Sequence, residues 1–469
     1  MKTNFLFITG LIILSAFTLQ TSTAHATDHW EKIDSMLHPR LDHTATLLQN
    51  GKVLLAGGDF PDVELYNPED RTFQTSGALP SYGLRGGTAT LLQNGKVLLA
   101  GGMDSQQVAM LFNPQTGSFN PTDSLSAPHS FHTATLLSDG RVLIAGGQDQ
   151  NGPQTHAVCE IYDPQSNTFS LTDSLNIDRS GHSATLLTNG KVLISGGFQT
   201  STPGNGNNIN SCEIYDPVSG EFNFVQNMIA PRGSHQATRL VDGSVLISGG
   251  AWNNSYCERY DVATNTWSQT GDMTVIKRSC HTATLLHNGK VLLAGGYADA
   301  VTSSAELYDP ATNTFTAVDS MFTPREQHTA TILSDGNVLV TGGYSTNAPV
   351  NLAELYIVDT GTGVGADNQT NGQQAVPEYF HLLQNYPNPF NPTTTITFKV
   401  PVSSFVDLYI INLNGQKVRT LSSRFYNAGA HSLNWNGSDN DGKLLSSGIY
   451  LCILESERYR DAIKLIVQK

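Results

Sequence analysis

A Gly-Gly pair closes a short apolar run seven times in this chain: Gly57-Gly58, Gly101-Gly102, Gly146-Gly147, Gly196-Gly197, Gly249-Gly250, Gly295-Gly296 and Gly342-Gly343. The pairs stand 44 to 53 residues apart. Self-similarity at this period restricts the chain to a stacked or circular array of one supersecondary unit. The unit is clearest over His281–Met321. ATLL precedes Asn288-Gly289, a dipeptide expected to make a type I′ hairpin turn. VLLAGG is an apolar strand. AELY and TFTAV follow, joined by the turn sequence DPATN. Every copy has Asn-Gly or Asp-Gly at the first turn. Four strands per repeat predict one propeller blade per repeat.

The seventh copy ends at Ala353–Asp359 and lacks a fourth strand, while Trp30–Met36 matches Phe315–Met321 position for position. The N-terminal segment is therefore expected to complete blade seven, close the ring and remove its free edges.

These motifs resemble the kelch family. Beyond the Gly-Gly pair, six repeats carry a Tyr or Phe and a second aromatic seven residues on: Tyr66 and Phe73, Phe112 and Phe119, Tyr162 and Phe169, Tyr215 and Phe222, Tyr260 and Trp267, Tyr308 and Phe315. The resemblance covers roughly residues 27–360. It implies an all-β, seven-bladed propeller.

What recurs in such a chain is scaffold. His43, His132, His182, His235, His281 and His328 open the first strands and resemble a metal-ready ring, but one His per blade is read as serving that blade. Blade two has Gly87 in place of this His and Met110 in place of the Glu found at 64, 160, 213, 258, 306 and 354. The joint loss predicts a polar contact of Glu with His, or with the Arg three residues before it, across the gap left by the glycines. His281, Glu306, Gly295 and Gly296 are thus structural repeat residues.

What varies is where function can sit. The segments after Gly-Gly hold 4, 6, 11, 14, 6, 8 and 9 residues in blades one to seven. The longest, Gln148–Val158 and Phe198–Ser211, belong to neighbouring blades. This face is expected to bind ligand, with Phe198, Asn205, Asn207, Asn208, Trp252, Tyr297 and Tyr344 as candidates. Aromatics with amides suit a glycan or a protein ligand.

Residues 1–26 read as a signal peptide, with Lys2, an apolar run over 5–17 and Ala24-His25-Ala26. Export fits the cysteines. Five is an odd number, and Cys159, Cys212 and Cys257 share the slot that Ala305 and Ala353 fill, so they read as small core residues. A net charge of −14 without a basic cluster argues against a nucleic-acid partner. No later run is apolar enough to span a membrane, so no transmembrane segment is expected in the mature chain; a monomer is the expected state.

Residues 361–378 read as a flexible linker. Residues 379–469 resemble the C-terminal sorting domain of the type IX secretion system, through Asn385-Tyr386-Pro387-Asn388-Pro389-Phe390, Asn414-Gly415-Gln416, Trp435-Asn436-Gly437, Ser447-Gly448-Ile449-Tyr450 and Lys464–Lys469. The strand spacing predicts a small Ig-like β-sandwich. The resemblance implies contact with the secretion machinery and passage across the inner, then the outer, membrane to the cell surface or beyond. Asp439-Asn440-Asp441-Gly442 is a turn lacking the full ligand pattern of a calcium loop.

No HExxH, phosphate loop, CxxC or serine-nucleophile motif is present. No residue is therefore assigned to catalysis, and no cofactor is expected. The alternative is a carbohydrate-active enzyme. The blades also resemble those of the copper-dependent galactose-oxidase group, whose chemistry needs two Tyr, two His and a Cys–Tyr crosslink. Cys280, beside His281, is the residue that reading would use.

Overall fold

In the computed structural model, the described residues are 28–358, without 80–83, 104–106, 150–153, 201–206, 252–254 and 276–277, and 381–468, without 384, 386–387, 391–392, 401–403, 427–428, 441 and 457–458. The signal peptide (1–26) and the linker (361–378) lie outside them. Two units result, 28–358 and the C-terminal region.

The first unit contains seven four-stranded antiparallel sheets, one per repeat. Blade six is typical: Thr282–Leu285, Val291–Ala294, Ala305–Asp309 and Thr314–Val318. The second strand is buried along its whole length, which explains its unbroken apolar sequence. The first strands contact those of both neighbouring blades, and that of blade seven contacts that of blade one. In blade seven the fourth strand is His29–Lys32, with Trp30 opposite Tyr356. Trp30 packs on Tyr356 at 5.0 Å, as Phe315 packs on Tyr308 at 4.9 Å. Its indole Nε1 donates to Asp319 O in blade six at 2.7 Å.

The first turn differs from the expected type I′, which needs φ > 0 at both central residues. At Asn288-Gly289 only Gly289 has it, at 83°. Gly289 N donates to Leu286 O, closing a type I turn, and Leu286 N donates to Lys290 O. Asn288 Oδ1 accepts from Lys290 N at 3.0 Å, which holds Asn288 in the right-handed region.

Blades meet at the Gly-Gly pairs. A Cβ on Gly295 would lie 2.5 Å from Arg325 O and 2.6 Å from the His328 ring, both in blade seven. One on Gly296 would lie 2.8 Å from His281 Cβ. The missing side chains let Gly296 N donate to Arg325 O at 2.7 Å, across the seam.

A second set of bonds circles the axis. The residue before each first-strand His, and Gly87's predecessor Gly86, has positive φ, from 47° at Asp42 to 66° at Gly86. Each donates its N–H to its counterpart in the preceding blade. Gly86 reaches Asp42, Phe131 reaches Gly86, Gly181 reaches Phe131, Ser234 reaches Gly181, Cys280 reaches Ser234, Gln327 reaches Cys280, and Asp42 returns to Gln327, at 2.7 to 3.2 Å.

The repeat Glu is a clamp within its own blade. Arg278 Nη2 donates to Glu306 Oε1 at 3.0 Å, and Arg278 Nη1 to Gly295 O at 2.5 Å. Thr274 N donates to Glu306 Oε2 at 2.7 Å. Arg40–Glu64, Arg179–Glu213, Arg232–Glu258 and Arg325–Glu354 repeat the pair, with every member buried. Blade three uses His129 instead, 3.1 Å from Glu160 and 2.6 Å from Gly146 O. In blade two, Leu84 and Met110 replace the pair by apolar contact.

The first-strand His does not serve its own blade, as its position in the repeat led us to expect. It bridges to a hydroxyl of the preceding one: His281 Nε2 lies 2.9 Å from Ser248 Oγ, and His328 Nε2 lies 3.1 Å from Thr282 Oγ1. Burial, then the nearby Arg charges, push His43 and His235 down to about 3, and burial holds the other four well below the ordinary imidazole range.

In the C-terminal unit, His381–Leu382, Thr394–Val400 and Gly429–Trp435 form one sheet, and Lys417–Tyr426, Ser404–Ile411, Gly448–Ser456 and Tyr459–Val467 form the other. A core centred on Phe390, Phe398, Leu408, Trp435 and Leu465 lies between them. Asn388 explains its motif: its side chain accepts from Ile466 N at 2.7 Å and donates to Lys464 O at 2.8 Å, tying the entry segment to the last strand. Tyr386, Pro387 and Asp441 lie outside the described residues. Asp439 Oδ1 is spent on Lys443 N at 2.9 Å, as in a plain turn.

Trp30→Ala should cost about 3–5 kcal/mol, and removing residues 28–37 should abolish the cooperative propeller transition in calorimetry; unchanged melting would refute closure by this strand. Glu306→Gln should cost about 3 kcal/mol by stranding the buried Arg278. The neutral buried histidines fix the pH dependence. The unfolded chain takes up protons below its ordinary His value of about 6.5 and the fold does not, so this stability is complete above pH 6.5 and is lost as pH falls toward 3. His43→Gln should flatten the slope of stability against pH in that window by about 1.4 kcal/mol per unit.

Candidate functional site

Strand directions put the loops after Gly-Gly and the segments entering each first strand on one face of the propeller. There the chain departs from its repeat. The residue after Gly-Gly is Asp59, Met103, Gln148, Phe198, Ala251, Tyr297 or Tyr344 in blades one to seven. It lies beside the entry segment of its own blade through backbone bridges such as Phe198 with Ser180 and Tyr297 with Ser279. Blade five has the small residue, Ala251, between two aromatic neighbours.

A cavity of ≈ 310 Å³ opens at that place. Phe198 and Asn208 come from the blade-four loop, and Tyr297 and Asp299 from the blade-six loop. Gly233, Gly250 and Ala251 form its floor, and Ser234 and Cys280 of the axial ring form its inner lip. Glycine is required at the floor. A Cβ on Gly233 would lie 2.6 Å from the Phe198 ring and 2.8 Å from Asn208 Oδ1.

The two long insertions brace each other and the Phe198 wall. Thr155 N donates to Thr200 Oγ1 at 2.9 Å, and Thr200 N donates to Thr155 Oγ1 at 3.1 Å. Asp178 accepts from Gln199 Nε2 at 2.9 Å and from the Thr155 hydroxyl. Asn208 Nδ2 donates to Gly250 O at 3.0 Å, while its buried Oδ1 meets no donor among the described residues.

Of the loop residues singled out by sequence, Phe198, Asn208 and Tyr297 line the cavity, whereas Asn207 and Tyr344 do not. Asn207 is exposed opposite Gln199. Tyr344 bridges Glu326 and Pro349 in blade seven. Asn205 and Trp252 lie outside the described residues. His281, Glu306, Gly295 and Gly296 belong to the scaffold. Ser234, Ala251 and Asp299 were not singled out. The signal for Ala251 was available, as the one small residue after Gly-Gly beside the longest loop.

Carboxylates surround the inner lip. Burial and then the Asp42 charge push Glu326 up. Burial pushes Asp42 up against the opposing effect of Arg85, whose Nε lies 3.2 Å away. Burial, then the Glu326 charge, push the Cys280 thiol up to about 11, so it is a thiol at neutral pH. Cys159, Cys212 and Cys257 are free and buried in separate cores.

Copper-radical chemistry does not fit these donors. Cys280 and Tyr297 share the cavity, but among the described residues no imidazole lines it. The six seam histidines are buried, each with Nε2 against a hydroxyl. Among the described residues no three His, Cys, Asp or Glu side chains group as a metal site.

A kelch-motif model matches residues 179–229 and 278–322, and a secretion-system C-terminal sorting-domain model matches residues 384–468. An F-box/kelch-repeat protein of Arabidopsis thaliana is 29% identical over 127 residues, 26% of this chain and 34% of that protein. Kelch-like protein 25 of Xenopus tropicalis is 26% identical over 116 residues, 24% of this chain and 19% of that protein. The chain thus spans about a third or less of these curated relatives. A fungal alcohol oxidase of the AA5 family, solved with copper, is similar in fold, with TM-score 0.64 and 15% identity over 95% of this chain and 100% of that one. The sorting domain indicates type IX export to the cell surface or extracellular space. The chain is a secreted, all-β protein in which a kelch-motif β-propeller precedes a secretion-system C-terminal sorting domain.

Proposed function

We propose that the propeller is an extracellular binding module whose ligand, a glycan or a protein, seats in the cavity over blade five. The carrying observation is the cavity itself. Its walls come from the two loops flanking blade five, and one of these is the longest in the chain and braced by its neighbour. An insertion tolerated only as surface would not need those bonds. The aromatic faces of Phe198 and Tyr297 supply flat apolar area, and Asn208, Ser234 and Asp299 supply polar direction, a composition typical of ligand pockets.

The second reading, a copper-dependent or other carbohydrate-active oxidase, rests on the fold likeness and on Cys280 beside Tyr297 in one cavity. The absence of imidazole among the cavity's described donors favours binding over that reading.

The test uses the full-length chain against immobilised glycans and surface proteins, beside Ala251→Trp, which fills the slot, and a variant with Phe198–Ser211 shortened. Loss of binding in both, with melting retained, is the expected outcome. Unchanged binding in both would remove the cavity from the account. One copper per chain surviving desalting would support the oxidase reading instead.

A further inference from the structure

Blade five breaks a pairing that its neighbours keep. In blades three, four, six and seven, the residue after Gly-Gly exchanges two backbone hydrogen bonds with the entry segment, at 2.8 to 3.3 Å: Gln148 with Ser130, Phe198 with Ser180, Tyr297 with Ser279 and Tyr344 with Glu326. Their counterparts in blade five, Ala251 and Gly233, exchange neither. Gly233 N donates one residue short, to Gly250 O at 3.2 Å, an acceptor it shares with Asn208 Nδ2 at 3.0 Å. The Ala251 N–H and the Gly233 carbonyl are left with no hydrogen-bond partner among the described residues, although both residues are buried. Asn208 Oδ1, also buried, is a second acceptor without a donor. All three residues line the cavity. Buried backbone groups without a partner are rare, because each costs about what a lost hydrogen bond costs. One donor and two acceptors of this kind in a single cavity mark a site that a bound group completes.

Resting on the binding reading above, we propose that the slot takes the acetamido group of a 2-acetamido-2-deoxyhexose unit in a glycan. Its carbonyl accepts from the Ala251 N–H, and its N–H donates to Asn208 Oδ1 or to the Gly233 carbonyl. A secondary amide holds a donor and an acceptor in one rigid plane, which is what a backbone pair supplies in the other blades. As a pendant group it reaches the floor while the sugar ring stays between the walls, with an apolar face against Phe198 or Tyr297. A peptide's main-chain amide is hemmed by a Cα on each side and would have to bring both past the two rings. The hydroxyls of Ser234 and Ser279 remain for the hydroxyls of the sugar. The volume of ≈ 310 Å³ suits one such unit with the rest of the glycan extending outward.

The experiment titrates the full-length chain, in physiological salt, with β-1,4-linked tetramers of N-acetylglucosamine, glucosamine and glucose, which differ only in the C2 substituent. An N-acetylgalactosamine glycoside covers the other C4 configuration, and a glutamine-rich peptide offers the same amide on a protein. An N-acetylated sugar should bind at least about tenfold more tightly than the glucosamine and glucose tetramers and the peptide. The Ala251 amide should gain protection from hydrogen exchange in that complex, a readout that needs no variant. Ala251→Pro removes an N–H that bonds nothing in the free protein and should erase the preference, while Ala251→Trp should abolish binding. If the glucose tetramer bound as tightly and Ala251→Trp still abolished it, the slot would be a glycan site without amide selection, and this inference alone would fall. Tightest binding of the peptide, again lost in Ala251→Trp, would keep the binding reading and overturn the sugar assignment. Tightest binding of the glucosamine tetramer, unchanged exchange at Ala251, or normal sugar binding by Ala251→Trp would each overturn the proposal. So would binding of none of the five probes, which leaves the wider screen of glycans and surface proteins to decide the binding reading itself.

Discussion

The propeller depends on how closely its blades approach at the axis. The second strands end at glycines whose Cβ positions are already filled by neighbouring backbone and side-chain atoms. Backbone therefore meets backbone. In six of the pairs the second glycine donates across the seam, and the axial ring adds a bond from every blade to the one before it. Seven left-handed residues, five of them not glycine, hold that ring. Such conformations persist only where the surroundings over-determine them. Here the imposing surroundings are the Gly contacts on one side and the His–hydroxyl bridge on the other.

The clamp beneath the ring shows how much variation this arrangement absorbs. Five blades use Arg with Glu, one uses His with Glu, and one replaces the pair by Leu84 and Met110. A buried ion pair stabilises little over well-packed apolar residues, whereas half of one is costly. That asymmetry accounts for Arg or His and Glu disappearing together in blade two.

The blades, their count and the unequal faces were legible in the sequence because each is a matter of period and length. Glu306 and its Arg were legible for a different reason: blade two had lost both its Glu and its His. What periodicity could not supply was contact between repeats. A residue identical in each copy can bond its own blade or the next with the same sequence signature, and His281 chose Ser248 of the preceding blade. Nor did Phe131, Cys280 or Gln327 carry any mark of left-handed backbone, since that conformation is imposed by the ring. The same limit applied to the cavity. Phe198, Asn208 and Tyr297 were visible as aromatics and amides in loops, but Asn207 was equally visible and faces away. Ser234 and Ala251 became significant only once blades four, five and six were brought together.

The axial ring separates two roles that a single residue ordinarily mixes. At Asp42, Gly86, Phe131, Gly181, Ser234, Cys280 and Gln327, the main chain does the same work seven times, while the side chains span acid, amide, thiol, hydroxyl, aromatic and none at all. The bond that closes the ring at these positions runs through their peptide groups. Evolution can therefore rewrite the rim of the axial opening one letter at a time, leaving the architecture that displays it intact. A family of such propellers could diverge in what it recognises while its sequence signature, written elsewhere in the repeat, stays constant.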